Sequence, residues 1–169
     1  MFSKILTITV AAIALLAVAV PQVHAKDVPL KGSGRNSSFD PATGDFYATG
    51  VMSHLGKMTG IGNVVPVGDF IPEPGVFFAG TFAGSQVFIA ADGSVLEADL
   101  QGEVLLVFTE EGLVTGTWSV SWDITGGTGR FFGATASTTG AAINPPFNPF
   151  TDPIWAFDWF TEGTINLAK

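Results

Sequence analysis

The chain has 169 residues, no cysteine and a formal charge of −8 at pH 7, from 7 Lys and Arg against 15 Asp and Glu. The missing cysteine excludes thiol nucleophiles, disulfide staples and Cys-bound zinc, and the acidic balance makes nucleic acid and anionic membrane surfaces poor partners. With 47% hydrophobic residues, 15 Phe and 4 Trp, the chain can bury one core of ordinary size but is short for two.

The N-terminus has the charge-then-apolar order of a signal peptide. Lys4 precedes an apolar and small-residue run from Ile5 to Val20, followed by Pro21 and by Val23-His24-Ala25. Small residues at the two positions a signal peptidase reads predict a cut before Lys26. Residues 1–25 are then a leader and 26–169 a single exported domain, secreted or periplasmic. An uncut anchor is the alternative, because about 18 apolar residues also span a bilayer. Cleavage lowers the cations from 7 to 6 against 15 acids, a balance of −9. It also removes His24 and leaves His54 as the only imidazole. A multi-histidine metal site is thereby excluded, and no residue pattern calls for a cofactor.

Beyond the leader no stretch combines helical periodicity with good helix formers. Val, Phe, Thr, Trp and Ile instead alternate with small or polar residues between Gly and Asp turn signals, which predicts strands. In chain order they fall at roughly 28–38, 45–54, 56–65, 76–90, 94–108, 113–125, 130–140 and 154–167. Between the third and fourth lies a Pro-rich loop with Pro66, Phe70, Ile71, Pro72 and Pro74. Asp92-Gly93 reads as a two-residue type I′ hairpin turn. In the strand after it, Glu97, Asp99, Gln101 and Glu103 share one face, against Leu96, Ala98 and Leu100 on the other. Glu110-Glu111-Gly112 reads as a slightly longer hairpin loop.

The clearest alternation follows, with Trp118, Val120, Trp122 and Ile124 on one face and Thr117, Ser119, Ser121 and Asp123 on the other. Gly126-Gly127-Thr128-Gly129 marks a tight turn, after which Phe131-Phe132 is expected to begin a strand. A second Pro-rich loop carries Pro145, Pro146, Phe147, Pro149, Phe150 and Pro153. The last strand sets Trp155, Phe157 and Trp159 on one face, with Asp158 and Glu162 on the other. Eight hairpin-linked strands leave exposed edges unless the sheet closes, and closure at about eight makes a compact barrel. The fold class expected is therefore all-β, a closed antiparallel barrel. A two-sheet sandwich is the rival; it needs a long crossover, for which either Pro-rich loop has room.

The segment Ile124-Thr125-Gly126-Gly127-Thr128-Gly129-Arg130-Phe131-Phe132-Gly133-Ala134 resembles the I-x-GGTG-[KR]-F-x-G-A segment of the allene oxide cyclase and dirigent barrel superfamily. Ser53-His54-Leu55-Gly56-Lys57 and Ala90-Ala91-Asp92-Gly93-Ser94 are similar to hairpins of small secreted bacterial proteins assigned to that barrel. The resemblance implies an eight-stranded barrel whose lumen holds a hydrophobic substrate. Allene oxide cyclases steer ring closure of a fatty-acid epoxide, and dirigent proteins orient coupling of phenolic radicals. It assigns no catalytic residue to this chain. The glycines also have a purely structural use, permitting backbone angles closed to other residues; a phosphate cradle needs a helix start after them.

In an up-and-down barrel alternate loops share a rim. One rim is then elaborate, with both Pro-rich loops, and the other plain, with the turns at His54–Gly56, Asp92-Gly93 and Gly126–Gly129. Candidate ligand-binding residues are Trp118, Trp122, Trp155 and Trp159 on the apolar faces, and Phe70, Phe147 and Phe150 in the stiffened loops. The alternative for each is plain core packing or capping. Glu97, Asp99 and Glu103 are either a lumenal acid set for proton transfer or a solvated outer face. His54 is either a proton shuttle or a turn-bonded histidine, and Arg130 an ion-pair or strand-start residue.

One histidine at a turn and no nucleophile elbow disfavour hydrolase chemistry. Charged outward faces disfavour a transmembrane barrel. Three functions remain: a barrel binding a small hydrophobic molecule in its lumen or under its Pro-rich rim, an isomerase or cyclase steering a lipid-like or phenolic intermediate, and a non-catalytic structural or cell-surface interaction module.

Overall fold

A computed structural model describes residues 26–68 and 73–167. The expected leader, residues 1–25, and the candidate Phe70 lie outside the described residues. The strands are β1 (Lys26–Phe39), β2 (Asp45–Met52), β3 (Gly56–Val67), β4 (Val76–Ala90), β5 (Val95–Phe108), β6 (Val114–Gly127), β7 (Thr135–Phe147) and β8 (Trp155–Leu167). They pair in sequence order and close, β1 against β8, into one antiparallel barrel. The closing seam runs from Lys26↔Leu167 to Phe39↔Trp155. No strand crosses over, so the sandwich is ruled out.

Period-2 alternation decides which side chains enter the lumen. On β5, Leu96, Ala98, Leu100, Val104 and Leu106 are buried while Glu97, Asp99, Gln101 and Glu103 are exposed. The acidic set therefore belongs to the solvated outer face. Asp158 and Glu162 of β8 are exposed as well.

Three details differ from the sequence reading, each for a physical reason. Pro66, Pro145 and Pro146 lie inside β3 and β7 rather than in loops. Proline is tolerated in a strand only where a ladder hydrogen bond is not needed. The β2–β3 ladder ends at Asp45↔Asn63, so Pro66 pairs only with Phe82 of β4. The β7–β8 ladder ends at Ile143↔Asp158, and Pro145 and Pro146 sit at the bulge between Gly116 and Val114.

The second difference is the β4–β5 hairpin. Gly93 N–H donates to the Ala90 carbonyl at 3.0 Å, and only Gly93 of the turn has positive φ, 82°. That is a type I turn closed by a left-handed glycine, with three loop residues instead of the expected two-residue type I′ turn. The β5–β6 loop repeats the device, with Gly112 N–H on the Thr109 carbonyl at 3.0 Å.

The third difference is at Phe131-Phe132, which does not begin a strand. Gly129–Phe131 is a single 3-10 turn, opened by Gly129 at φ 61° and followed by Gly133 at φ 71°, and β7 starts at Thr135. Phe131 is 1% exposed and Phe132 is 79% exposed. This in-then-out pair mimics strand alternation in the sequence, but the turn uses it to drive one ring into the barrel floor.

The same turn is stapled to its neighbours by Arg130. Its guanidinium pairs with Asp92 at 3.2 Å, donates to the Leu55 carbonyl at 3.4 Å and lies 5.0 Å over the Phe131 ring. Arg130 is thus an ion-pair residue and not a strand start. The Asp92 carboxyl is held below the ordinary aspartate range by the Ser94 backbone N–H first; desolvation opposes this, and the Ser94 hydroxyl and Arg130 add to the lowering. His54, at φ 68°, donates from Nε2 to the Pro29 carbonyl at 2.9 Å. It is an exposed turn residue bonded to β1, away from the lumen.

Candidate functional site

The floor of the barrel, at the end carrying the loops 53–55, 91–94 and 128–134, is filled by Leu30, Met52, Leu55, Leu96, Phe131 and Ile165, all fully buried. The upper half, toward the loops 40–44, 109–113 and 148–154, is filled mainly by rings. Trp155 sits beneath that rim, tilted on Phe147 with centroids 4.8 Å apart and in contact with Phe39 at 5.7 Å and Phe77 at 6.0 Å. Trp118 packs edge-on against Phe39 at 5.3 Å and Phe82 at 5.2 Å.

Below this ring cluster lies a cavity of about 70 Å³. Its walls are the aromatic side chains Phe39, Phe46, Phe82, Trp118, Trp122, Phe157 and Trp159, the aliphatic Ala48, Val64, Leu100, Val120 and Ala142, and the amide of Gln86. Phe39, Phe46, Phe157 and Trp118 are half-buried and the other walls are buried. Among the described residues the lining holds no acid, base or hydroxyl.

The cavity exists because rings lie flat against glycines. A Cβ on Gly34 would run into the Trp159 indole and the Thr49 carbonyl, and one on Gly50 would stand 2.7 Å from the same indole. Flat rings over bare backbone cover wall area without reaching the barrel axis. The floor, filled by aliphatic side chains and the Phe131 plug, leaves no such gap, and the cavity falls in the upper half.

Each indole at the cavity has its N–H satisfied. Trp118 donates to Asn144 Oδ1 at 2.6 Å, Trp122 to Gln86 Oε1 at 2.6 Å and Trp159 to the Thr49 carbonyl at 3.2 Å. Asn144 in turn donates to the Ala156 carbonyl at 2.8 Å, which ties β7 to β8 beyond the end of their ladder. Trp155 differs: among the described residues its buried Nε1 has no hydrogen-bond partner.

Of the sequence candidates, Trp118, Trp122 and Trp159 meet at the cavity. Trp155 and Phe147 belong to the ring cluster above it, where Phe147 caps the core. Phe150 is 82% exposed at the rim and stands apart from the cavity. Gln86 and Asn144 were not among the candidates. Both are visible in retrospect as polar residues on inward parity: Gln86 stands in the series Phe82, Gly84, Gln86, Phe88, and Asn144 follows Ala142.

No family model, curated protein or solved structure matches this chain.

As it stands the cavity has room for about two waters or a guest of a few heavy atoms. Ligand pockets for drug-sized molecules begin near 300 Å³, so a larger guest enters only if the half-buried rings turn aside. The lining can offer dispersion contact, ring faces and one amide.

Proposed function

We propose that this chain is an exported ligand-binding barrel, secreted or periplasmic, that takes a compact hydrophobic molecule into the upper half of its lumen. The observation that carries this reading is the apolar cavity walled by Trp118, Trp122 and Trp159 above a filled floor. A core made only for stability has no reason to leave a gap at one end, since each void forfeits packing contacts. The isomerase or cyclase alternative finds less support, because proton transfer needs a titratable group and none of the described lining residues is one. Kinship with the allene oxide cyclase and dirigent barrels remains part of the proposal; the closed eight-stranded meander agrees with it.

The test is native mass spectrometry of the exported protein, followed by tryptophan fluorescence on titration with small cyclic hydrocarbons. A co-purifying apolar molecule, or a saturable change in emission that is lost in Ala142→Leu, is the expected result. A clean mass with unchanged emission across the probes sinks the reading. That result would favour an interaction module, for which the exposed Phe132 and Phe150 are the starting points.

A further inference from the structure

Gln86 is 4% exposed and supplies the one polar side chain of the cavity wall. Trp122 dictates how its amide is turned. An indole N–H only donates, so the atom 2.6 Å from Trp122 Nε1 has to be the oxygen Oε1. The two N–H bonds on Nε2 therefore point elsewhere. Among the described residues no acceptor reaches Nε2. Nε2 itself lies against the bare backbone of Gly60, where a Cβ would stand only 2.5 Å from it. Nε2 is not sealed off, since among the described residues the fully buried side-chain atom without a partner is Trp155 Nε1; a donor on the wall of an otherwise apolar cavity favours a guest that offers it an acceptor.

We infer that the cavity selects an apolar molecule bearing an oxygen acceptor, such as a ketone, aldehyde or ester carbonyl, which receives a hydrogen bond from Gln86 Nε2. This rests on the reading of the lumen as a binding site and adds the chemical class of the guest. Trp122 is the positioning residue: it keeps the amide from flipping, so the site presents a donor and not an acceptor. The ring walls supply most of the contact, and the amide supplies the discrimination.

The experiment compares cyclopentanone with methylenecyclopentane, which differ only in C=O against C=CH₂, on the exported protein. The ketone is expected to bind about threefold to tenfold more tightly, the worth of one ordinary hydrogen bond. The Gln86 side-chain amide signals in a ¹⁵N–¹H spectrum should move with the ketone and stay with the alkene. Gln86→Met should bind both probes alike. Because that variant also strips Trp122 of its acceptor and can misfold, the spectrum of the unaltered protein is the independent arm. Equal affinity of the two probes with unmoved amide signals overturns the acceptor rule alone and assigns the amide to a resident water. Failure of both probes to bind overturns the lumen reading together with this one.

Discussion

Leu96 and Leu100 stand on the same strand and the same face, four residues apart, yet they belong to different halves of the barrel. Leu96 is fully buried in the floor, among Leu, Met, Ile and the Phe131 plug. Leu100 is buried too, but one side of it faces the cavity. The alternation that sent both inward is identical. What differs is the shape of what they meet: branched and flexible side chains that interdigitate below, flat rings laid on glycines above. Burial by itself does not measure packing, and the cavity lies among residues every one of which sits on a correct inward position.

The largest expected effect breaks this comparison directly. Leu96→Ala should destabilise by about 4–5 kcal/mol and Leu100→Ala by about 2–3 kcal/mol, because a leucine whose neighbours are already missing on one side has fewer contacts to lose. Urea midpoints of the two variants check it, and equal losses would mean that the upper half is as well packed as the floor.

A smaller effect sharpens the same contrast from the other direction. Ala134 is buried in the floor and Ala142 lines the cavity. Ala134→Val should cost about 1–3 kcal/mol through overpacking, whereas Ala142→Val should be neutral or stabilising by up to about 1 kcal/mol as it fills empty space. Thermal unfolding of the pair reads the sign.

The smallest effect concerns the staple under the floor. Asp92 has its folded pKa lowered by Ser94 and Arg130, so its contribution to stability is present above its unfolded pKa of about 3.9 and disappears as the pH falls through the lower folded value. Asp92→Asn keeps an acceptor for the Ser94 N–H, bonded at 3.0 Å in the native turn, and loses the ion pair with Arg130. The variant should be slightly less stable than the native protein at pH 7, with the gap closing below about pH 4. A gap that does not narrow as the pH is lowered below about 4 would assign the effect to turn geometry and not to charge.

Much of the strand framework was legible because its signals are local. Leu96, Leu100, Trp118, Trp122, Trp155 and Trp159 all point where their parity predicted. Phe131 was misread for the same reason: a two-residue in-out pair cannot distinguish a strand from a tight turn. Gln86 went unnoticed because one polar residue in an apolar series carries no meaning until its partner is known, and Trp122 lies 36 positions away in the chain.

The sequence by itself determined that the described domain is β, that its strands follow one another as hairpins, and which face of each turns inward, since these depend on period-2 patterning and turn chemistry within a few residues. Tertiary structure alone decided the register in which β1 meets β8, that Trp159 lies over Gly34 and Gly50, and that Trp122 fixes the Gln86 amide. Those outcomes follow from strand register and the curvature of a closed sheet, which bring together residues that no local pattern relates.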